Sequence, residues 1–291
     1  YVDSNGALGS GRTPASPVAT VDAAINLAAA GDFVYVAEAH AETLANATSL
    51  VMDKIGIKLI GLGRGTRRPT FTMSAAGSNI PISKANCEMR NFLFKVGDGP
   101  VDVTKGITVT GTDVLLEDLH FTEQALAQTD EQFVAAISLD AGSDRACIRG
   151  FNFLGSTGDG SDAAIEVTAV VTGIVIEDPV VVGDFADACI HYAAAALECM
   201  LIRPVLEQRH ATVEECIDAE SGTTGFIISP RLRGAINTAA GFDNTITAAG
   251  MQCYDLQIVN NAGESSQVGA HAALDVSGNL MAARVVSTAE N

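Results

Sequence analysis

A repeat with a period of 25 to 32 residues constrains the fold of this chain more than any other feature of its sequence. One unit is clearest over 164–181, where two short apolar runs alternate with polar residues at period two. In the first run, Ile165 and Val167 are expected to face one side of a strand, with Glu166 on the other. The second run follows Gly173 and repeats the alternation.

Two sets of markers recur independently at this interval. Nine-residue windows over the second run begin at Gly56, Asn86, Asp113, Arg145, Gly173, Glu198, Gly225 and Gln252, with spacings of 30, 27, 32, 28, 25, 27 and 27 residues. The first run is marked by Ile107, Ile137, Ile165, Ile190, Ile217, Ile246 and Leu274, with spacings of 30, 28, 25, 27, 29 and 28 residues. Repeats of this length are typical of solenoids, propellers and arrays.

The residues inside the windows favour one kind of solenoid. The fourth window position holds Leu59, Met89, Leu116, Ile148, Ile176, Leu201 and Ile228, with Asp255 as the exception, and the ninth holds Phe94, Phe121, Phe153, Val181 and Leu206. Short strands without a helical period argue against leucine-rich, ankyrin and helical-pair repeats. We predict an all-β protein, a right-handed single-stranded parallel β-helix of about eight coils that stack about 4.8 Å apart.

The same pattern predicts a single β-helix domain over 1–291. Residues 1–20 are rich in Gly, Ser and Pro and are expected to form an extended lead-in. Thr20 is a candidate N-cap for a helix over 21–30, and the coils are expected over 33–286. Because the first coil of a β-helix exposes unpaired strand edges, we expect this helix to cover it.

Charge and motif content limit the partners. The formal net charge is −18, which disfavours binding to nucleic acid and to anionic membranes. The sequence has no run of 18 apolar residues, so we predict no membrane span. The sequence contains no phosphate-binding loop or dinucleotide fingerprint. We therefore predict no cofactor, no nucleic-acid partner and no membrane partner.

The six cysteines form no C-x-x-C pair, so we predict no metal site of the zinc type. Buried free thiols are the favoured interpretation. Cys189 and Cys216 each precede a marker isoleucine on adjacent coils, so a disulfide between them stays open as the alternative.

The N-terminal part resembles a known family. The run S-P-V-A-T-V-D-A-A-I-N-L-A-A-A-G-D-F-V-Y-V-A begins at Ser16, and I-G-I-K-L-I-G-L-G-R-G-T-R-R-P-T-F begins at Ile55. Together they resemble the opening of pectate-lyase-like β-helix proteins. H-A-E-T at His40, followed by the run from Ile60, resembles β-helix proteins encoded by tailed bacteriophages. The resemblance covers 14–73, and beyond it only the rhythm of the coils matches.

This resemblance implies a virion structural protein on the particle surface, either a capsid decoration or a tail-associated subunit. It also implies self-association as a trimer and contacts with other virion proteins. Because the same scaffold carries enzymes, a tailspike-type polysaccharide lyase or hydrolase remains an alternative, as does a secreted carbohydrate-binding adhesin. The absence of Trp, the presence of only four Tyr and the lack of polygalacturonase-type motifs favour the non-enzymatic interpretation.

Four carboxylates are the weak candidates for catalysis, since hydrolysis of a glycosidic bond needs two that converge. They are Asp140, Asp144, Asp159 and Asp162. A solvated acidic loop is the favoured interpretation, with a structural Ca²⁺ site and catalysis as alternatives. The five histidines are scattered, and His120 and His191 are expected at outward, solvated strand positions.

Six arginines are candidates for an interface with an acidic partner or a neighbouring subunit. They are Arg64, Arg67, Arg68, Arg203, Arg231 and Arg233. The competing interpretation is ion pairing within the stack, for example between Arg203 and Glu177 of the preceding coil. Arg231 and Arg233 fall at window positions that face inward elsewhere, so we expect their coil to turn them outward.

Overall fold

Each coil of the chain adds a strand to parallel faces that run the length of a right-handed parallel β-helix of about seven turns. The predicted fold class is therefore confirmed, with about one coil fewer than expected. The computed structural model describes residues 1–5, 9–97, 101–123, 131–155, 161–210, 215–233, 246–248, 250–259, 265–267, 273–274 and 280–281.

Three faces can be distinguished. Face 1 contains Phe33–Val36, Lys58–Gly61, Cys147–Arg149, Val175–Glu177, Cys199–Ile202, Gly225–Ile228 and Met251–Tyr254. Face 2 contains Ala41–Leu44, Thr70–Met73, Asn152–Leu154, Val180–Gly183, Val205–Gln208, Arg231–Arg233 and Gln257–Val259. Strands Glu88–Val96 and Leu115–Thr122 are long enough to continue over the corner from face 1 into face 2. Face 3 contains Ile80–Ile82, Val101–Val109, Glu131–Leu139, Ser161–Val167, Phe185–Tyr192, Ile217–Ala219 and Ile246–Ala248.

Face 3 is built on an unbroken column of buried isoleucines in register. Its members are Ile80, Ile107, Ile137, Ile165, Ile190, Ile217 and Ile246. The predicted markers are confirmed from Ile107 to Ile246, and Ile80 extends the column by one coil. Leu274 was predicted wrongly, because Ala273–Leu274 pairs antiparallel with Gln252 and with Leu280–Met281. Strand Ser265–Gln267 also runs antiparallel, against Gln257–Val259, so the parallel winding ends there within the described residues.

The inward column of face 1 confirms the fourth window position for the first six windows. The column runs through Val34, Leu59, Met89, Leu116, Ile148, Ile176, Leu201, Ile227 and Cys253. The last two windows were wrong in register, by one and two residues. Leu201 pairs with Ile227 rather than Ile228, and Ile227 pairs with Cys253, which explains the exception at Asp255. The error arose because the windows kept a longer spacing where these coils shorten.

Face 2 confirms the ninth window position and carries an aromatic stack. Phe71, Phe94, Phe121 and Phe153 follow one another in register and are buried. The rings of Phe94 and Phe121 lie 4.3 Å apart between centroids, in a stacked arrangement. Because each ring from Phe71 to Phe121 lies against the next, the stack fills the core of face 2 along these coils.

The corner between faces 1 and 2 depends on one residue per coil in the left-handed backbone region. These residues are Asn91, Asp118, Gly150, Asp178, Arg203, Ser229 and Asp255, with φ between 49° and 66°. The amide of Asp178 donates to the carbonyl of Ile202 (2.9 Å), and that of Arg203 to the carbonyl of Ile228 (2.7 Å). The chain thus bends while its hydrogen bonds between coils continue. Asn, Asp and Gly adopt this conformation more readily than other residues.

The N-terminal helix spans Val21–Leu27 and buries Val21, Ala24 and Ile25 against the first coil. Thr20 is its N-cap, as predicted, because its side chain accepts from the amide of Ala23. The helix ends three residues before the predicted boundary.

Two contacts explain this early end. The amide of Ala29 donates to Asp32, and Lys54 Nζ donates to the carbonyls of Asn26 and Ala28. These bonds satisfy groups that a longer helix would otherwise use. In the extended lead-in, Val2 forms parallel bridges with Val18 and Val36, which tie this segment to the first coil.

Substitution of Ile176 tests the inward column. Ile176 is fully buried between Ile148 and Leu201, so Ile176→Asp places a carboxylate in the core with no partner. We expect the free energy of unfolding to fall by several kcal/mol in chemical denaturation. The matched control is Val170→Asp at a side chain that is 67% exposed, for which we expect a change within about 0.5 kcal/mol. An unchanged unfolding midpoint for Ile176→Asp would contradict the assignment.

Candidate interaction surfaces

Face 1 turns two columns of side chains outward, one on each side of the buried column through Ile176. The leading column consists of Phe33, Lys58, Glu88, Leu115, Cys147, Val175, Met200, Phe226 and Gln252. The trailing column consists of Tyr35, Ile60, Arg90, Glu117, Arg149, Glu177, Ile202, Ile228 and Tyr254. Like residues in neighbouring coils are held in line by the strand register, so each column is a continuous strip of surface.

The middle of the trailing column is a ladder of alternating charge. Arg90 Nη1 lies 2.8 Å from Glu117 Oε2, and Arg149 Nε lies 2.8 Å from Glu177 Oε2. Arg149 also reaches back to Glu117, at 3.5 Å. Hydrogen bonds from Arg149 and then Arg203 lower the pKa of Glu177 below its ordinary value. Exposed pairs of this kind add little stability, but their mutual contacts fix where each charge lies.

Both ends of face 1 are apolar and rich in aromatic rings. At the N-terminal end, Phe33 is 54% exposed and stacks on Tyr35, with ring centroids 6.0 Å apart. At the C-terminal end, Phe226 is 42% exposed and lies 6.1 Å from Tyr254 between ring centroids. The half-buried Met200, Ile202 and Ile228 continue this second apolar patch. Contiguous exposed apolar surface of this kind is typical of contact sites.

Three of the six candidate arginines are engaged within the chain. Arg203 Nη2 lies 2.8 Å from Glu177 Oε1, and its Nε lies 2.7 Å from Asp178 Oδ1, which confirms the predicted ion pair. Arg67 pairs with Glu38, and Arg233 pairs with Glu207. Hydrogen bonds from Arg203 lower the pKa of Asp178.

The other three are Arg64, Arg68 and Arg231, and no ion pair involves them among the described residues. Arg64 is exposed, whereas the Nε and Nη1 atoms of Arg68 are buried without a hydrogen-bond partner in the described part of the chain. Arg231 is exposed and lines a corner groove of about 410 Å³ that also includes Arg203 and Asp255. Arg231 and Arg233 face outward, as predicted, because the residue between them, Leu232, faces inward and pairs with Leu206. The window had placed Arg233 at this inward position, which is the same one-residue error as at Ile227.

Among the described residues, the candidate carboxylates Asp140, Asp144 and Asp162 have separate surroundings. Asp140 accepts hydrogen bonds from Ser138 and Thr168 (both 2.6 Å) and from Lys105 (3.0 Å). Burial acts to raise the pKa of Asp140, but these three bonds outweigh it and the pKa lies below its ordinary value.

Asp144 has a structural contact of its own, because its Oδ1 accepts from the amide of Thr172 at 2.7 Å. Asp162 is the second residue of the next face 3 strand. It lies six residues along the register from Asp140, which places the two roughly 20 Å apart. Asp159 lies outside the described residues.

Asp162 belongs to a different group, which the sequence analysis missed. This acidic face 3 group consists of Asp162, Glu166, Asp187, His191 and Asp218. His191 Nδ1 lies 3.5 Å from Asp187 Oδ2, and its Nε2 lies 3.6 Å from Asp218 Oδ2. His191 is outward, as predicted, but only 18% of its side chain is exposed. Glu166, His191 and Asp218 each follow a marker isoleucine, and this recurrence was the available sequence signal.

Three carboxyls of this group, those of Asp162, Glu166 and Asp218, have pKa values above their ordinary values. Burial raises the pKa of Glu166 and of Asp218, and the charge of His191 opposes the shift in both. Partial burial and then the Asp187 carboxylate raise the pKa of Asp162. Glu166 and Asp218 lie one coil on either side of His191, about 9–10 Å apart along the face.

The fold and these surfaces define the class of the protein as a parallel β-solenoid. No protein-family model matches the chain, and no curated protein or solved structure matches it.

Among the described residues, no helix is long and apolar enough to cross a membrane. In the same part of the chain, no group of three or more His, Cys, Asp or Glu side chains is arranged to hold a metal ion. The six cysteines are free thiols, and five of them are buried.

The raised pKa of Glu166 predicts a pH-dependent effect of its removal. A carboxyl whose folded pKa is raised favours folding below its unfolded pKa and loses that contribution as the pH rises through the folded pKa. Glu166→Gln is therefore expected to raise the melting temperature at pH 7 relative to the parent protein. The difference should shrink as the pH falls below the ordinary range of a glutamate. Melting curves of both proteins between pH 4 and pH 8 give the comparison, with Glu220→Gln at an exposed turn as the control. An equal gain at all pH values would contradict the burial argument.

Proposed function

We propose that this chain is a structural subunit of a tailed-bacteriophage virion, a capsid decoration or tail-associated β-helix that acts through contacts between proteins. The observation that carries the proposal is the outer surface of face 1, which holds exposed apolar patches at both ends and an ordered ladder of charge between them. A large apolar surface with fixed charges suits a lasting protein contact. The phage-like opening over 14–73 supports the choice of particle.

The proposal predicts that the protein is recovered in purified phage particles. Particles are separated from free protein by density-gradient centrifugation, and the copy number is measured by quantitative mass spectrometry. We expect a fixed ratio to the major capsid or tail protein, because a structural subunit repeats with the symmetry of the particle that holds it. Recovery only in the soluble fraction would contradict the proposal. Dissociated heads and tails, analysed separately, assign the location.

A surface variant links this location to face 1. Phe226→Asp changes an exposed side chain at the C-terminal patch of face 1, whereas Val170→Asp makes the same change away from this face. We expect particles that lack the protein to rebind the parent and Val170→Asp proteins but to lose most binding of Phe226→Asp. Equal binding by all three would show that face 1 is not the contact.

The acidic face 3 group supports a second candidate function, a tailspike-type polysaccharide hydrolase. Hydrolysis uses one carboxylic acid with a raised pKa and a second carboxylate across the sugar, and the separation of Glu166 and Asp218 is near that of inverting enzymes. In this alternative, Glu166 and Asp218 would share these roles, with His191 positioned between them. The test is release of reducing ends from host surface polysaccharide. Activity that is lost in Glu166→Gln and Asp218→Asn but kept in Glu220→Gln would favour the enzyme.

A further inference from the structure

We propose that face 1 pairs with face 1 of a second copy of this chain, with the two helix axes antiparallel. The inference rests on the proposed function, because it makes a second copy of the chain the partner of face 1 and makes the resulting pair the unit that the particle holds. Its basis is the order of apolar and charged residues along the trailing column, which is the same from either end between Tyr35 and Ile228. The leading column adds matching apolar residues at its ends and at its centre.

The trailing column is the clearest case. From Tyr35 to Ile228 it runs as two apolar residues, four residues of alternating charge and two apolar residues. Consider a two-fold axis that lies between the two facing sheets, runs parallel to the strands and passes midway between the coils of Glu117 and Arg149. It places the second copy face to face with the first, with its helix axis in the opposite direction. Glu117 then lies opposite Arg149 of the second copy, and Arg90 lies opposite Glu177 of the second copy. A surface that complements itself in this way forms an isologous pair.

The apolar residues of the trailing column match under the same axis. Ile60 lies opposite Ile202 of the second copy, and Tyr35 lies opposite Ile228 of the second copy. All four are half-buried in the single chain, so each still has surface to lose on contact. Burial of this apolar surface is the source of affinity.

An axis along the strands also keeps the leading column opposite itself, and there the residues match in type at the ends and at the centre of the column. The exposed Phe33 lies opposite the exposed Phe226 of the second copy, and Leu115 lies opposite Cys147 of the second copy. Lys58 and Glu88 are paired within the chain, with Nζ 3.6 Å from Oε2. Their charges are therefore compensated where they meet the apolar Met200 and Val175 of the second copy, which the Lys58 stem can cover.

The charge ladder fixes the register of the pair. A shift of the axis by half a coil, onto Arg149, places Arg149 opposite itself and Glu117 opposite Glu177. Like charges held in contact are strongly unfavourable, so the alternation rejects the shifted arrangement. These charges are already paired within each chain. They therefore set the alignment of the two copies more than they strengthen the binding between them.

Two other arrangements fit the surface less well. Pairing with parallel axes puts the leading column of one copy on the trailing column of the other, so Leu115 meets Glu117 and Cys147 meets Arg149. The parallel pair thus sets four charged residues, Lys58, Glu117, Arg149 and Glu177, against apolar groups, whereas the antiparallel pair does so only for Lys58 and Glu88. A cyclic trimer, which the sequence resemblance implies, joins two different patches at each contact and makes no use of a two-fold pattern.

The first test is the mass of the full-length protein in solution, measured by light scattering during size exclusion. We expect 60.0 kDa, twice the chain mass of 30.0 kDa. Phe226→Asp combined with Ile228→Asp should reduce the mass to that of one chain while the circular dichroism spectrum stays unchanged. Val170→Asp should leave the pair intact. A single-chain or three-chain mass for the parent protein, or an intact pair in the double variant, would overturn the proposal.

Cross-linking tests the antiparallel direction. Lys58→Cys and Met200→Cys are made separately in a Cys147→Ser background, in which the five remaining native cysteines are buried. Facing sheets lie about 10 Å apart, so a bis-maleimide of similar reach is suitable. We expect linked pairs only when the two variants are mixed and re-equilibrated. Linking within either variant alone would reject the antiparallel arrangement.

These outcomes are independent of the particle experiment. A protein found in virions that is a single chain in solution and shows no mixed cross-link overturns the pairing and leaves the proposed function standing. An antiparallel pair in solution that is absent from virions overturns the proposed function and leaves the pairing standing.

Discussion

The fold depends on the burial of one inward side chain against its equivalents in the coils above and below. A single coil cannot hide Ile165 from water, but Ile137 and Ile190 cover it from both sides. The same relation repeats along face 1 and in the phenylalanine stack of face 2. Each coil is thus stable only in the presence of its neighbours, and the outer surface is left free of any role in forming the core.

The inward residues were predictable because their spacing is imposed by this burial. The isoleucine markers from Ile107 to Ile246 carry the signal directly, since a polar or much smaller residue at these buried positions would lose core contacts. The corners carry a weaker signal. Arg203 and Ser229 occupy the left-handed position that Asp178 occupies in the preceding coil, so residue type alone did not mark it. Because the corners could not be located from residue type, the windows at Gly225 and Gln252 were placed one and two residues out of register.

The surfaces were harder to predict because outward residues become neighbours only through exact register. The pair between Arg203 and Glu177 was foreseen from adjacent windows, and the structure confirms it. The acidic face 3 group was missed, since its members come from three coils and the only sequence signal was the position after a marker isoleucine that Glu166, His191 and Asp218 share. The palindromic order of face 1 appears only when all nine strands are aligned.

The C-terminal strands have a consequence for how the molecule ends. Gln257–Val259 would present a bare parallel edge, the kind of template onto which another chain can add strands without limit. Ser265–Gln267 occupies that edge in the opposite direction, so the same winding cannot simply resume on top of it. Within the described residues, this tip of face 2 is therefore capped, which disfavours growth of a fibre by end-to-end addition there.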